Sequence, residues 1–462
     1  MRRLIKRRRW IVTVFAVAAG VAAGTAVAWS TTGDRTQDIK QAIKGGQAKS
    51  VIFLLGDGMG DSEITAARNY AVGAAGRLAG IDSLPLTGEA TTYSLIEHPG
   101  QPDHGKPAYV TDSAAAGTAW ATGFKTSNGR ISTDIDDHTL RTILEEAKTA
   151  GYVTGNVSTA EITDATPAVL DSHVNDRGCQ GPANMATCPK YTKPAGPGSI
   201  AEQTVDHGVD VVLGGGKGRF DQTVTGGQFA GKTVIQQAEA QGYQVVTTAS
   251  GLAAVPAFTP GRVLGLFNSG NMTQEWSGLI AAHPASGPQV CNESNRATKA
   301  PNEPSLAAMT QKALEILDAK AKKAPARGFF LQVEGASIDK RDHAADPCGQ
   351  IGETVAFDRA IQVVQNYVAS HPKTLVILTA DHAHTSQIIE TDVDTPGAQS
   401  ILMTHDGVPM MINYATAPVS GSQQHTGSEV RIAAEGPQAG NVVGVIDETD
   451  ENAIMKRALG LP

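Results

Sequence analysis

Cysteine is scarce: 462 residues include four, Cys179, Cys188, Cys291 and Cys348, and no two stand as Cys-x-x-Cys. Zinc bound through sulfur is therefore not expected. Positive charge is short as well, with 38 Lys and Arg against 46 Asp and Glu. No basic face exists to neutralise a nucleic-acid backbone, so nucleic acid is not expected as a binding partner. Neither a Walker loop nor a dinucleotide fingerprint is present. Gly56-Asp57-Gly58-Met59-Gly60 and Gly214-Gly215-Gly216-Lys217-Gly218 supply glycines at the wrong spacing, and the second reads as a strand-end turn. No internal repeat stands out. With 41% hydrophobic and 18% charged residues, nothing argues for disorder or a fibrous class. The length suffices for one large α/β domain with insertions, or for two to three average domains.

What is present begins with residues 1–28. Arg2, Arg3, Lys6, Arg7, Arg8 and Arg9 precede an apolar stretch from Ile11 to Ala28 that ends in Ala26-Val27-Ala28. This is the pattern of a cleaved export signal, and residues 29–50 read as a flexible lead-in. A retained anchor is the alternative, and contact with a membrane is expected only through an uncleaved signal. Lys6-Arg7-Arg8-Arg9-Trp10 is too degenerate a twin-arginine pattern to choose the route. Removing this segment takes away six basic residues and no acid, and the net charge moves from −8 to −14. In an exported chain an even cysteine count points to two disulfides. Of the three pairings, Cys179 with Cys188 closes the shortest loop, but the sequence leaves all three open.

Short β-branched runs at Val51–Leu55, Tyr152–Val157, Asp210–Leu213, Phe329–Val333 and Thr374–Leu378 read as buried strands of a largely parallel sheet. Helical patterns lie between them, for example Leu140–Ala150 and Leu306–Lys322. The predicted architecture is a three-layer α/β sandwich, a mostly parallel central sheet with helices on both faces. It occupies residues 51–462, with an insertion at about 385–420, where Gly, Pro and Asp break the rhythm. Open sheets of this kind bind ligands beyond the carboxyl ends of their strands, and most of these strands run straight into small and acidic residues.

Several of those strand ends carry chemistry. Asp57 sits among glycines that let the backbone bend tightly. Asp112 caps a helix of small residues, so Ser113 lies in its first turn, where free N–H groups and the helix dipole favour a phosphoryl group. Asp339 and His343 share one helix face at i, i+4, with Glu334 at the preceding strand end and Lys340 nearby. Asp381-His382-Ala383-His384 puts carboxylate and imidazole beside each other at a strand terminus, as zinc ligands stand, with His384 suited to orienting a ligand. Asp164 and Thr166 offer hard oxygens fit for magnesium, Arg177 a fork for two phosphate oxygens, and His425 a further imidazole in a loop of small residues. Each has an everyday explanation when taken singly: a turn aspartate, a capping serine, a solvated histidine, a surface arginine.

In this order, however, the motifs Gly56–Gly60, Thr111-Asp112-Ser113-Ala114, Asp164-Ala165-Thr166-Pro167, Gln332–Lys340, Thr379–His384 and His425-Thr426-Gly427-Ser428 resemble the bacterial alkaline phosphatases of the enterobacterial periplasmic type, from about Val51 to Leu461. The resemblance implies hydrolysis of phosphate monoesters through a phosphoserine on Ser113, in phosphate scavenging. It assigns one Zn2+ to Asp339, His343 and His425, a second to Asp57, Asp381, His382 and the Ser113 oxygen, and Mg2+ to Asp57, Asp164, Thr166 and Glu334. It places Arg177 on the nonbridging phosphate oxygens, oriented by Asp112, and Lys340 near the phosphate through water. It also implies disulfides Cys179–Cys188 and Cys291–Cys348, a homodimer, and a secreted location in the periplasm, cell-wall space or medium. A related metal-dependent phosphodiesterase or sulfatase on the same sheet is the alternative, since fold does not fix chemistry.

Overall fold

The computed structural model describes residues 35–323 and 325–462; the segment read as an export signal and the first part of the lead-in lie outside the described residues. The described part of the lead-in includes a helix, Thr36–Ala42. Ten strands form the central sheet. From edge to edge they are Gly444–Asp447, Leu86–Thr91, Val430–Glu435, Thr374–Ala380, Ser50–Gly56, Phe329–Gly335, Val153–Glu161, Val211–Gly215, Arg262–Leu266 and Tyr243–Val246. All run the same way except Val430–Glu435, which is antiparallel to both neighbours. Each of the five strands expected from β-branched runs is found, extended by up to four residues at the carboxyl end.

The central strand shows why the sheet is sandwiched. Val51, Phe53 and Leu55 belong to one apolar cluster, Ile52 and Leu54 to another, as period-two alternation requires of a strand buried on both faces. The first cluster is roofed by helices Ser113–Thr122, Ile143–Thr149, Ile200–His207 and Glu448–Leu459, the second by Asp61–Val72, Leu306–Ala321 and Pro347–Val368. This is the three-layer arrangement expected.

Within residues 385–420, strands Gln387–Ile389, Ala398–Met403 and Pro409–Tyr414 leave the main sheet and build a separate four-stranded one with Ser286–Gln289. The disulfide Cys291–Cys348 ties the chain just beyond Ser286–Gln289 to helix Pro347–Val368, and Cys179–Cys188 closes a loop beyond Arg177. Among the described residues no helix is long and apolar enough to cross a membrane.

Candidate active site

Register brings the acids together. Gly56 pairs with Gly335 on one side and Ala380 on the other, so Asp57, Ala336 and Asp381 leave the sheet at the same level. Glu334 pairs with Ser158 across the next ladder, and the serine hydroxyl donates a short hydrogen bond to its carboxylate. Gly58 makes the turn after Asp57 at φ 67°, and a Cβ there would come within 3.0 Å of the Asp339 backbone, so glycine is required twice over. Its N–H donates to Asp381 Oδ1 at 2.9 Å.

Carboxylates so placed are buried in a site that resists their charge. Burial first, then Asp381 and Asp339, push Asp57 well above the usual range. Burial likewise raises Asp381 to about 6 and Glu334 to about 7. Such a cluster calls for cations, and two side chains supply part of them. Lys340 Nζ lies 3.0 Å from Asp164 and 4.0 Å from Asp57. Arg177, a third exposed, donates to Asp164 at 2.9 Å and Asp112 at 3.1 Å. Burial opposes the charge of Asp164, yet Lys340 and Arg177 hold it well below the ordinary carboxylate value.

Asp112 does three things at once. Its carboxylate caps helix Ser113–Thr122 at Ala115 N (2.9 Å), accepts from Gly129 N (3.0 Å) and receives Arg177. The helix is wholly buried and ends on Gly123 at φ 82°. Its first residue, Ser113, directs Oγ to 3.4 Å from both Asp57 Oδ1 and His382 Nε2. The hydroxyl therefore stands at a helix N-terminus, facing an imidazole and a carboxylate, the latter 4.0 Å from Lys340 Nζ.

The imidazoles are aimed by backbone carbonyls. His425 Nδ1 donates to Thr111 O at 3.0 Å, and His343 Nδ1 donates to Gln423 O. A neutral ring carries one proton, so in both the Nε2 lone pair is left bare. Those two nitrogens stand 3.1 Å apart, at 3.2 and 3.3 Å from Asp339 Oδ1. His384 differs: its Nδ1 accepts from Thr385 N at 2.9 Å, which puts its proton on Nε2, 3.2 Å from Asp339 Oδ1. It turns an N–H toward the carboxylate, at hydrogen-bonding distance but without the alignment of a directed hydrogen bond. His382 Nε2 lies 3.3 Å from Asp381 Oδ2 and 3.5 Å from Asp57 Oδ1, and burial, then the charge of His425, keep its pKa far below the usual imidazole value. A neutral imidazole is what a metal needs.

These residues fit metal ions. Asp339 Oδ1, Asp381 Oδ2 and Thr166 Oγ1 are buried without a directed hydrogen bond, a costly state that a cation relieves. Asp339, His343 and His425, with His384, form one group of converging ligand atoms; Asp57 and His382, with Asp339, form another. Asp164, Thr166 and Glu334 are bound differently. Asp164 is held by Lys340 and Arg177, Thr166 accepts Gln332 Nε2 on its backbone carbonyl at 3.0 Å, and Glu334 is held by Ser158. Ser158 and the Thr111 and Gln423 carbonyls were not singled out from the sequence. A carbonyl has no residue signature, and Ser158 sits inside an apolar strand.

An α/β sheet carrying a helix-capped serine, two fixed cationic side chains and grouped imidazoles and carboxylates defines a metal-dependent hydrolase of anionic esters. The chain belongs to the alkaline phosphatase family, whose model matches residues 48–421. It is 53% identical to streptomycin-6-phosphate phosphatase of Streptomyces griseus, over 90% of this chain and 91% of that protein. It is 50% identical to alkaline phosphatase of Escherichia coli K12, over 93% and 90%. The fold is that of Thermus thermophilus alkaline phosphatase, with TM-score 0.66 and 23% identity over 93% of this chain and 95% of that one. The protein is accordingly a phosphoric monoester hydrolase that uses metal cofactors.

Proposed function

We propose that Ser113 is the nucleophile and that hydrolysis passes through a phosphoserine. The observation that carries this reading is the Ser113 hydroxyl, 3.4 Å from Asp57 Oδ1 and His382 Nε2 at the start of a buried helix. Asp339, His343 and His425 would hold one Zn2+; Asp57, Asp381 and His382 a second; Asp57, Asp164, Thr166 and Glu334 one Mg2+. Bound there, such cations lower the pKa of an oxygen they hold and neutralise charge on phosphoryl oxygens.

The chain's own groups account for the rest. Ser113 Oγ forms a bond to phosphorus as the ester P–O bond breaks, and the departing alcohol oxygen gains a proton. Water then attacks phosphorus, the Oγ–P bond breaks, and the serine recovers its proton while phosphate leaves. The transition state is loose, with charge spread over the nonbridging oxygens. Arg177, already placed by Asp112 and Asp164, presents its fork to two of them, and Lys340, held protonated against burial by Asp164 and Asp57, adds charge through water. No group grips the leaving alcohol in this scheme, so the reading includes broad specificity.

The same reading makes the protein an exported homodimer that scavenges phosphate. The basic-then-apolar residues 1–28 and the two disulfides support export. Tyr109 and Val110, exposed beside Thr111, are surface of the kind a second subunit covers. The test is to mix enzyme with an aryl phosphate at mildly acid pH, quench, digest and map phosphate. Phosphate on the peptide containing Ser113, with turnover abolished in Ser113→Ala, is expected. Continued turnover in that variant would overturn the assignment.

A further inference from the structure

Outside the cluster around Ser113, a second set of imidazoles meets a carboxylate. Glu145 lies in helix Ile143–Thr149, His173 in the loop leading to Arg177, and His207 at the end of helix Ile200–His207. Glu145 Oε2 is committed to its own helix, accepting Thr142 N at 2.9 Å in a capping box. That leaves Oε1, which lies 3.2 Å from His173 Nε2 and 3.0 Å from His207 Nε2.

Both rings are held as metal-binding histidines are. His173 Nδ1 donates to Ser132 O and His207 Nδ1 to Gln203 O, each at 3.0 Å. When both rings are neutral the single proton of each is thereby used, and two Nε2 lone pairs and a carboxylate oxygen face one another. Without a positive charge between them that arrangement repels itself. Burial opposes a charge on His207, yet Glu145 and Asp171 raise its pKa; protonating that one ring makes an ion pair with Oε1 but leaves the His173 Nε2 lone pair, 3.2 Å away, facing the same oxygen. One divalent cation relieves all three groups together. The spacing suits it, because ligands about 2.0–2.1 Å from zinc at a tetrahedral angle stand roughly 3.3–3.4 Å apart. A fourth position opens to water, since the His207 side chain is 28% exposed. Asp171, 1% exposed and with no hydrogen-bond partner for Oδ2, adds negative charge felt by both His207 and Glu145.

We infer that Glu145, His173 and His207 bind one further divalent transition-metal cation of the zinc class, separate from the active centre. The cation joins two helices to the segment that carries Arg177. That segment is already pinned at Val174, which exchanges backbone hydrogen bonds with Ile131, and at Arg177 N, which donates to Gly129 O at 2.7 Å. A third anchor at His173 fixes the loop from its other end. The role is structural, as suits a site with no adjacent nucleophile.

The test compares zinc-loaded wild type, His207→Ala and Glu145→Gln after dialysis against metal-free buffer, with zinc per chain measured by inductively coupled plasma mass spectrometry. Glutamine keeps the capping box while losing the charge. Wild type is expected to retain one zinc more per chain than either variant, whatever the active centre holds. Equal counts overturn the proposal. Should the variants fail to fold, wild-type crystals soaked in zinc and recorded at its absorption edge decide. An anomalous peak between Glu145, His173 and His207 is expected, and no peak there overturns it.

Discussion

The Asp339–His343–His425 and Glu145–His173–His207 clusters are built by the same local device and surrounded by different chemistry. In each, two histidines donate Nδ1–H to backbone carbonyls and turn Nε2 toward one carboxylate oxygen at 3.0–3.3 Å. The first lies where the central parallel strands end, beside a serine at a helix N-terminus, with Lys340 and Arg177 close by. The second lies among helices on one face of the sheet, with Asp171 close by and the nearby Ser172 and Thr204 hydroxyls donating to Asp171 Oδ1. On the assignments proposed above, convergent lone pairs serve to hold a cation and do not by themselves make an enzyme. In the mechanism proposed above, catalysis is added by the nucleophile, by the fixed cationic side chains that receive a phosphoryl group, and by carboxylates left without partners.

Removing one carboxylate from each cluster should separate the two most strongly. Asp339→Ala takes away the oxygen on which His343, His384 and His425 converge, and kcat/KM is expected to fall at least about a hundredfold, the scale of losing transition-state charge stabilisation. Glu145→Gln is expected to leave kcat unchanged. Steady-state kinetics on an aryl phosphate, with zinc in excess, measures both. A matching collapse in the two variants would erase the distinction drawn between the clusters.

The two clusters also differ in how far they could be read beforehand. Asp339 and His343 announce themselves by i, i+4 spacing after a strand, and Asp381-His382 by adjacency at a strand end; both are local signals. The five buried strands and the capped helix at Ser113 were legible for the same reason, since period and capping are properties of neighbouring residues. Glu145, His173 and His207 lie on three separate segments with no shared spacing, so only the packing of helices Ile143–Thr149 and Ile200–His207 against the 171–177 loop brings them together. The antiparallel strand Val430–Glu435 is not marked in the sequence, because Arg431, Ala433, Ala434 and Glu435 leave it only two β-branched residues, Val430 and Ile432. Cys291–Cys348, 57 residues apart, could not be paired from spacing; the family resemblance implied it and the structure contains it.

A milder substitution sharpens the role given to His384. Its Nε2 proton faces Asp339 Oδ1, and its own Nδ1 is satisfied by Thr385 N. An orienting partner of this kind is worth roughly 10- to 100-fold in metal affinity or activity. His384→Ala is therefore expected to weaken zinc retention by about that factor, with wild-type kcat restored at saturating zinc. His384→Asn, which keeps an N–H to turn toward Asp339, is expected to recover part of the affinity. Loss of kcat that excess zinc does not restore would make His384 a ligand instead.

The smallest effect concerns charge around the remote cluster. Burial raises Asp171 to about 6, with Glu145 adding to the shift and His207 opposing it. The folded protein thus keeps a proton here that the unfolded chain has released. The stability from this residue is complete below its ordinary 3.8 and is lost as pH rises through about 6. For a rise of that size the loss amounts to up to about 3 kcal/mol. Asp171→Asn has no proton to lose and can keep the hydrogen bond that Thr204 donates to Oδ1 at 2.9 Å. In chelator-treated protein, guanidinium unfolding at pH 4.5 and 7.5 is expected to show a smaller stability difference for the variant than for wild type. A cation on Glu145, His173 and His207 favours the ionised Asp171 and binds more tightly as the imidazoles lose their protons, so zinc is expected to raise stability at pH 7.5 relative to pH 4.5 in both proteins, and by more in wild type. An identical slope in both proteins would place the proton elsewhere and remove Asp171 from the electrostatics of that cluster.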